Sequence, residues 1–319
     1  MGVSRRALII TSGVLGAAAG VGGWAVLADS RLVPGRTLVD QVMGRCEVDA
    51  TPTEAEPGRL IDGAFFSTRR GRSVGYMLAY PPKAAPGAKL PVCLVLHGFG
   101  ADHRTAFAGI GYHRMLAAAT AAGVPPFVLA AVSGGDGYWH PHANGDDPLG
   151  MLLGDFPTVL AQHGLPVDRF ALLGWSMGGF GALIAATEVS NRFVAVVANA
   201  PAFWRSYEEA NQISPGAFDS AEDWQRWGDL MARATKLRGL PVRIDCGESD
   251  SFTPAIKDLR DRLDEPGVVH LAKGCHDDAF WRYAAPEQLR FIGGALTPPK
   301  PTPPPKPTPT PKPTKTPAK

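Results

Sequence analysis

Apolar positions in the middle of the chain gather into short unbroken runs, separated by longer alanine-rich or amphipathic stretches. Pro91–Leu96 (PVCLVL), Phe127–Val132, Phe170–Gly174 (FALLG) and Phe193–Ala198 are almost wholly apolar, as strands buried on both faces are. Leu60–Thr68 and Ser73–Tyr80 predict two earlier strands, with Arg69–Arg72 as the turn between them. Pro241–Cys246 and Val268–Ala272 predict the last two. Helical patterns fall between the strands, at Tyr112–Ala122, Pro148–His163, Gly178–Thr187, Pro254–Leu263 and Ala279–Ile292. Regular alternation of this kind predicts an α/β fold: a mainly parallel sheet with helices on both faces. One stretch, Ala202–Gly239, breaks the rhythm after the sixth strand. Its Trp204, Trp224 and Trp227 predict either an apolar lid or the small core of an insertion. No internal repeat is apparent.

The two ends have a different character. Arg5 and Arg6 precede an uncharged, glycine-rich run to Ala28, which resembles a twin-arginine export signal. Val26-Leu27-Ala28 offers small residues for a signal peptidase, and the run is also long enough to anchor in a bilayer. From Thr297 onward the chain is Pro, Thr and Lys with one Ala, and holds eleven prolines. Such a segment favours polyproline II over a packed core, and its 23 residues could reach about 70 Å. Its lysines suit contact with anionic polymers of a cell wall. The expected organisation is an export signal or anchor over 1–28, a linker over 29–59, a folded domain over 60–296 and a tail over 297–319.

Charge and cysteine content narrow the chemistry. The formal charge of +2 includes five lysines in the last 23 residues and two arginines in the first 28, with no acid in either segment. Removing those seven cations leaves the body at −5. An acidic body argues against a nucleic-acid partner, which needs a basic face. Cys46, Cys93, Cys246 and Cys275 contain no CxxC pair, so no zinc site is expected, and export permits disulfides. Cys246 and Cys275 each sit at the carboxyl end of one of the last two strands, so they can pair if those strands are neighbours; the pairing is otherwise open.

The chemistry centres on Gly174-Trp175-Ser176-Met177-Gly178-Gly179, a G-x-S-x-G motif between an apolar strand and a helix. There Ser176 sits on a tight turn with its hydroxyl exposed, as in the nucleophile of an α/β-hydrolase fold. A serine hydroxyl needs a base and a group to orient it. In this fold these follow in the order serine, acid, histidine; of the two histidines after Ser176, His270 falls within the Val268–Ala272 strand pattern and His276 lies just past it, where the base belongs. The acid should follow Pro241–Cys246, where Asp245, Glu248 and Asp250 are candidates. Asp245 falls within the strand pattern, and Asp250, at the far end of the loop, fits best. Two backbone N–H groups should hold the oxyanion: Met177, next to the serine, and Phe99 in His97-Gly98-Phe99-Gly100, which follows PVCLVL. His97 is expected to be structural. Tyr138 and Trp139, after the Phe127–Val132 strand, and Trp175 beside the serine are expected to line the substrate mouth. His140 and His142 with Asp146 and Asp147 form no compact ligand motif, so neither metal nor cofactor is expected.

With Gly-Trp-Ser-Met-Gly-Gly, His-Gly-Phe-Gly, Cys-Gly-Glu-Ser-Asp and Gly-Cys-His in place, the chain resembles the esterase D-like branch of the α/β-hydrolases. That branch includes S-formylglutathione hydrolases, feruloyl esterases and secreted mycolyltransferases. The resemblance covers roughly Leu60–Leu296. It implies Ser176 as nucleophile, Asp250 as acid, His276 as base, and Phe99 and Met177 as oxyanion donors. Members often have His-Ser-Trp or His-Ser-Tyr at the base, where this chain has His276-Asp277-Asp278. The expected function is hydrolysis of a small-molecule or lipid carboxylic ester outside the cytoplasm, through an acyl-enzyme. The alternatives are acyl transfer to a sugar or lipid hydroxyl in the cell envelope, and a non-catalytic envelope-binding protein on a hydrolase scaffold.

Overall fold

A computed structural model describes residues 43–50, 53, 55–265 and 267–297. The expected export segment, most of the linker and the tail beyond Thr297 lie outside the described residues. Among the described residues no helix is long and apolar enough to cross a membrane.

Eight strands form one sheet: β1 (Leu60–Ser67), β2 (Arg72–Ala79), β3 (Val92–Leu96), β4 (Val128–Val132), β5 (Phe170–Trp175), β6 (Phe193–Asn199), β7 (Val242–Gly247) and β8 (Val269–Ala272). Their order is β1-β2-β4-β3-β5-β6-β7-β8. β1 and β2 form an antiparallel hairpin and β2 meets β4 antiparallel, whereas every later pairing is parallel. With helices around it, this is the α/β-hydrolase fold.

Side chains alternate across the sheet with the strand period of two. Val92, Leu94 and Leu96 of β3 join Val128, Ala130 and Val132 of β4 in one core. Cys93 and Val95 join Leu129, Ala131, Ala171 and Leu173 in the other. The helices α1 (Tyr112–Ala121) and α4 (Asp278–Leu296) cover the second face through Met115, Leu116, Leu289 and Ile292. The helix α2 (Met177–Glu188) covers the first through Phe180 and Leu183. The helix α3 (Thr253–Leu263) follows β7 and packs Ile256 and Leu259 into the same core.

Two expectations resolve at this level. The insertion between β6 and β7 buries its tryptophans, and Trp204 packs against Tyr138, Phe180, Phe218 and Phe252. They form a core, not an open lid. The Cys246–Cys275 pairing is corrected: the disulfide joins Cys46 to Cys275, and Cys246 is a free, buried thiol. β7 and β8 are indeed neighbours, but Cys246 lies opposite Leu271, inside the sheet. Cys275 lies beyond the end of β8, where the segment around Cys46 reaches it.

The consequence for function lies at the carboxyl ends of β3 to β8. His97–Gly100, Ser133–Trp139, Ser176, Ala200–Ala202, Asp250 and His276 all leave the sheet there. In open parallel sheets this edge is where ligands bind.

Candidate active site

Ser176 occupies the turn from β5 into α2 with φ 52° and ψ −122°. A positive φ is strained for a residue with a Cβ and persists only where neighbours over-determine it. Here Ser176 N–H donates to the Asn199 carbonyl at 2.9 Å, and the Ser176 carbonyl accepts from Phe180 and Ala202 N–H at 3.1 Å each. The turn closes because Gly178 lacks a Cβ, which would collide with the Leu96 carbonyl.

Ser176, His276 and Asp250 converge from three loops. Ser176 Oγ lies 2.8 Å from His276 Nε2, and Asp250 Oδ2 lies 2.7 Å from His276 Nδ1. The Asp250 carboxylate accepts at Nδ1, so that nitrogen carries the proton and Nε2 is left to accept from the serine hydroxyl. The Asp250 side chain is fully buried, and its second oxygen accepts from Phe252 N–H at 2.8 Å. Phe252 and Trp281 pack edge-on against the His276 ring. Of the other two acids, Glu248 is exposed, and Asp245 is turned to Arg243 and Gln288. Asp277 accepts from Phe280 N–H at 2.9 Å and caps α4, which accounts for the acid that follows the histidine.

Two loops form the wall beside the serine. A Cβ on Gly98 would lie 3.3 Å from Ser176 Cβ and 2.9 Å from Trp175 Nε1, so only glycine lets this backbone come so close. His97 is buried, and its Nε2 accepts from Gly134 N–H at 2.9 Å. The proton therefore sits on Nδ1, which donates to the Gly98 carbonyl at 2.8 Å. Gly98 C=O and Phe99 N–H share one planar trans peptide and point in opposite directions. Holding the carbonyl thus fixes the Phe99 N–H. Met177 opens α2, so its N–H has no acceptor within the helix. Burial pulls the His97 pKa down from its ordinary value and keeps the ring neutral.

A cavity of about 380 Å³ opens at Ser176 and His276. Phe99, Tyr138, Ile213 and Phe252 give it apolar walls, while Asp136 and Ser214 add polar groups. Tyr138 lies where expected and donates its hydroxyl to Ser214 Oγ at 2.8 Å, tying its loop to the insertion. Trp139 and Trp175 are corrected: both are fully buried, and neither lines the cavity. Trp175 is the last residue of β5 and packs on Tyr112 and Trp281. Trp139 lies beneath the Phe99 loop, donating its indole N–H to the His97 carbonyl at 3.2 Å.

The sequence reasoning missed Asp136, Ile213, Ser214 and Phe252. Asp136 shares a loop with Tyr138 just past β4, and that position at the ligand-binding edge was its only signal. His140 and His142 are engaged by the Pro141, Ala217 and Gly137 carbonyls and by Asp219. Asp146 pairs with Arg70, and Asp147 caps the turn at Gly150. Among the described residues no three His, Cys, Asp or Glu side chains are grouped to hold a metal.

The chain and its fold have relatives. The iron(III) salmochelin esterase of Escherichia coli O6:H1 (strain CFT073) is 28% identical over 131 residues, 40% of this chain and 31% of that protein. The chain thus spans under a third of the length of this curated relative. Among solved structures, a ferulic acid esterase superposes with a TM-score of 0.64 at 19% identity, covering 75% of this chain and all of the other. An S-formylglutathione hydrolase from Agrobacterium tumefaciens gives 0.61 at 18% identity, covering 77% and 99%. The enterobactin esterase of Shigella flexneri gives 0.58 at 19% identity, covering 77% and 62%. The Esterase family profile matches residues 67–266, most of the domain that carries these loops. On that match, together with the fold it spans, the chain belongs to the Esterase family.

Proposed function

We propose that the chain is an exported serine esterase that cleaves carboxylic esters of small molecules through an acyl-enzyme. The observation that carries this reading is the unbroken line Asp250 Oδ2–His276 Nδ1 and His276 Nε2–Ser176 Oγ, at 2.7 and 2.8 Å. Ser176 Oγ attacks the acyl carbon while His276 Nε2 takes its proton. The carbonyl oxygen becomes an oxyanion, held by the N–H groups of Met177 and Phe99. His276 then gives the proton to the departing alkoxide, leaving the acyl group on Ser176. Water enters, His276 takes its proton, the acid departs, and the proton returns to Ser176. Asp250 keeps the ring in the useful tautomer and stabilises the imidazolium as it forms. Phe99, Tyr138 and Phe252 offer the acyl group an apolar wall beside the reacting carbonyl.

Export rests on separate support. Arg5 and Arg6 precede an uncharged run, and the Cys46–Cys275 disulfide suits an oxidising compartment. In the test of catalysis, the purified protein hydrolyses p-nitrophenyl acetate and Ser176→Ala abolishes turnover with its circular dichroism unchanged. Turnover retained by that variant contradicts the reading. Export is tested by changing Arg5 and Arg6 to lysine, which should block passage by the twin-arginine route. Undiminished export would exclude that route.

A further inference from the structure

The cavity beside Ser176 has an unbalanced charge. Of the residues that line it, Asp136 is the only one with a fixed charge, and no lysine or arginine is present. Asp136 does not swing freely, because its Oδ1 accepts from Gly100 N–H at 2.7 Å. That bond fastens the carboxylate to the loop carrying Phe99. Among the described residues no ion pair joins Asp136 to a base. The Arg70 guanidinium, behind the adjacent Gly135, is already engaged by both oxygens of Asp146. His97, behind the same loop, is kept neutral by burial. The other acid near this loop, Asp102, adds charge of the same sign.

Resting on the serine-esterase reading, the geometry points to Asp136 as a specificity-determining residue that rejects esters bearing an anionic group and favours neutral or cationic ones. A substrate carrying a carboxylate, sulfate or phosphate would bring its charge beside a fixed carboxylate and meet no compensating cation. A cationic or hydroxyl-bearing substrate would find an acceptor there. A sphere of the cavity's volume is about 9 Å across, and two unit charges at that separation give a discrimination of about 2- to 20-fold between water-like and protein-like dielectrics.

The test compares kcat/KM for p-nitrophenyl butyrate with that for p-nitrophenyl hemisuccinate, and for 3,3-dimethylbutyl thioacetate with acetylthiocholine. The wild type should prefer the neutral member of the first pair and the cationic member of the second. Asp136→Asn keeps an acceptor for Gly100 N–H and removes only the charge, so the ratio within each pair should move towards that of uncharged sites. The readout is the ratio, which cancels any general loss of activity. The wild type alone supplies a second measure. The same ratios should collapse with salt, because the screening length falls from about 30 Å at 0.01 M to about 3 Å at 1 M. Ratios that neither Asp136→Asn nor salt alters overturn the inference while leaving the esterase reading intact. Inactivity of the wild type towards all four esters overturns the reading beneath it, and the inference with it.

Discussion

His97 is expected to act on the rate without touching the substrate. Its two nitrogens tie the loop after β3, which carries Phe99, to the loop after β4, accepting from Gly134 N–H and donating to the Gly98 carbonyl. Alanine at this position removes both bonds. The buried Gly134 N–H then lacks an acceptor, a stability cost of about 1–3 kcal/mol, to which the vacated ring volume adds. The Gly98–Phe99 peptide also loses its main restraint and can turn its N–H away from the site. Complete loss of one oxyanion donor costs about 2.7–4 kcal/mol of transition-state stabilisation, or about 10²–10³ in kcat. The assay is steady-state hydrolysis of p-nitrophenyl acetate by His97→Ala and His97→Asn, below the unfolding temperature of both. The fall should appear in kcat with KM nearly unchanged, because the bond to Phe99 N–H strengthens only as the oxyanion forms. Asparagine, which can still donate to the Gly98 carbonyl, should recover part of the loss. A folded His97→Ala enzyme with wild-type kcat would refute the reasoning and leave His97 a packing residue.

Three further outcomes follow from the same geometry. Asp250→Asn should cut turnover by about 10⁴, the scale of that substitution in a well-studied Ser-His-Asp site, whereas Glu248→Gln should change little, and pre-steady-state kinetics of the two variants decides the order. Cys46→Ser releases the residue next to His276 from the N-terminal segment, so it should lower both the melting temperature and kcat, and mild reduction of the wild type should reproduce the effect in a thermal-shift assay. Burial holds the pKa values of His97, His113 and His140 below the ordinary 6.5. The unfolded chain therefore binds protons that the folded one refuses, and stability should fall as pH drops below about 6.5. His142 opposes this: burial lowers its pKa, but Asp219 and the Gly137 carbonyl outweigh that and raise it. Its contribution is present below 6.5 and lost as pH rises through the folded value, so urea midpoints at pH 5 and 7 should show a steeper acid loss in His142→Gln.

The parts legible in the sequence were those governed by local pattern. β3, β4 and β5 were plain as apolar runs because both their faces are covered. Ser176 was legible from the glycines its turn requires, and the placement of Asp250 and His276 followed from their positions just past β7 and β8. What escaped depended on contacts far apart in sequence. Cys275 bonds to a residue 229 positions away, in a segment with no strand or helix signal. Trp139 and Trp175 sit beside site residues along the chain, yet their side chains turn into the core beneath the loops. Ile213 and Ser214 reach the cavity only because the insertion folds back over the sheet edge, and no periodicity records that path.

The most direct test of the central claim is to trap the nucleophile. The protein is treated with a fluorophosphonate, digested, and the modified peptide sequenced by mass spectrometry. One stoichiometric phosphonyl adduct should form on Ser176, slowly in Asp250→Asn and not at all in Ser176→Ala. An adduct on another residue, or active-site labelling that persists in Ser176→Ala, would contradict the claim.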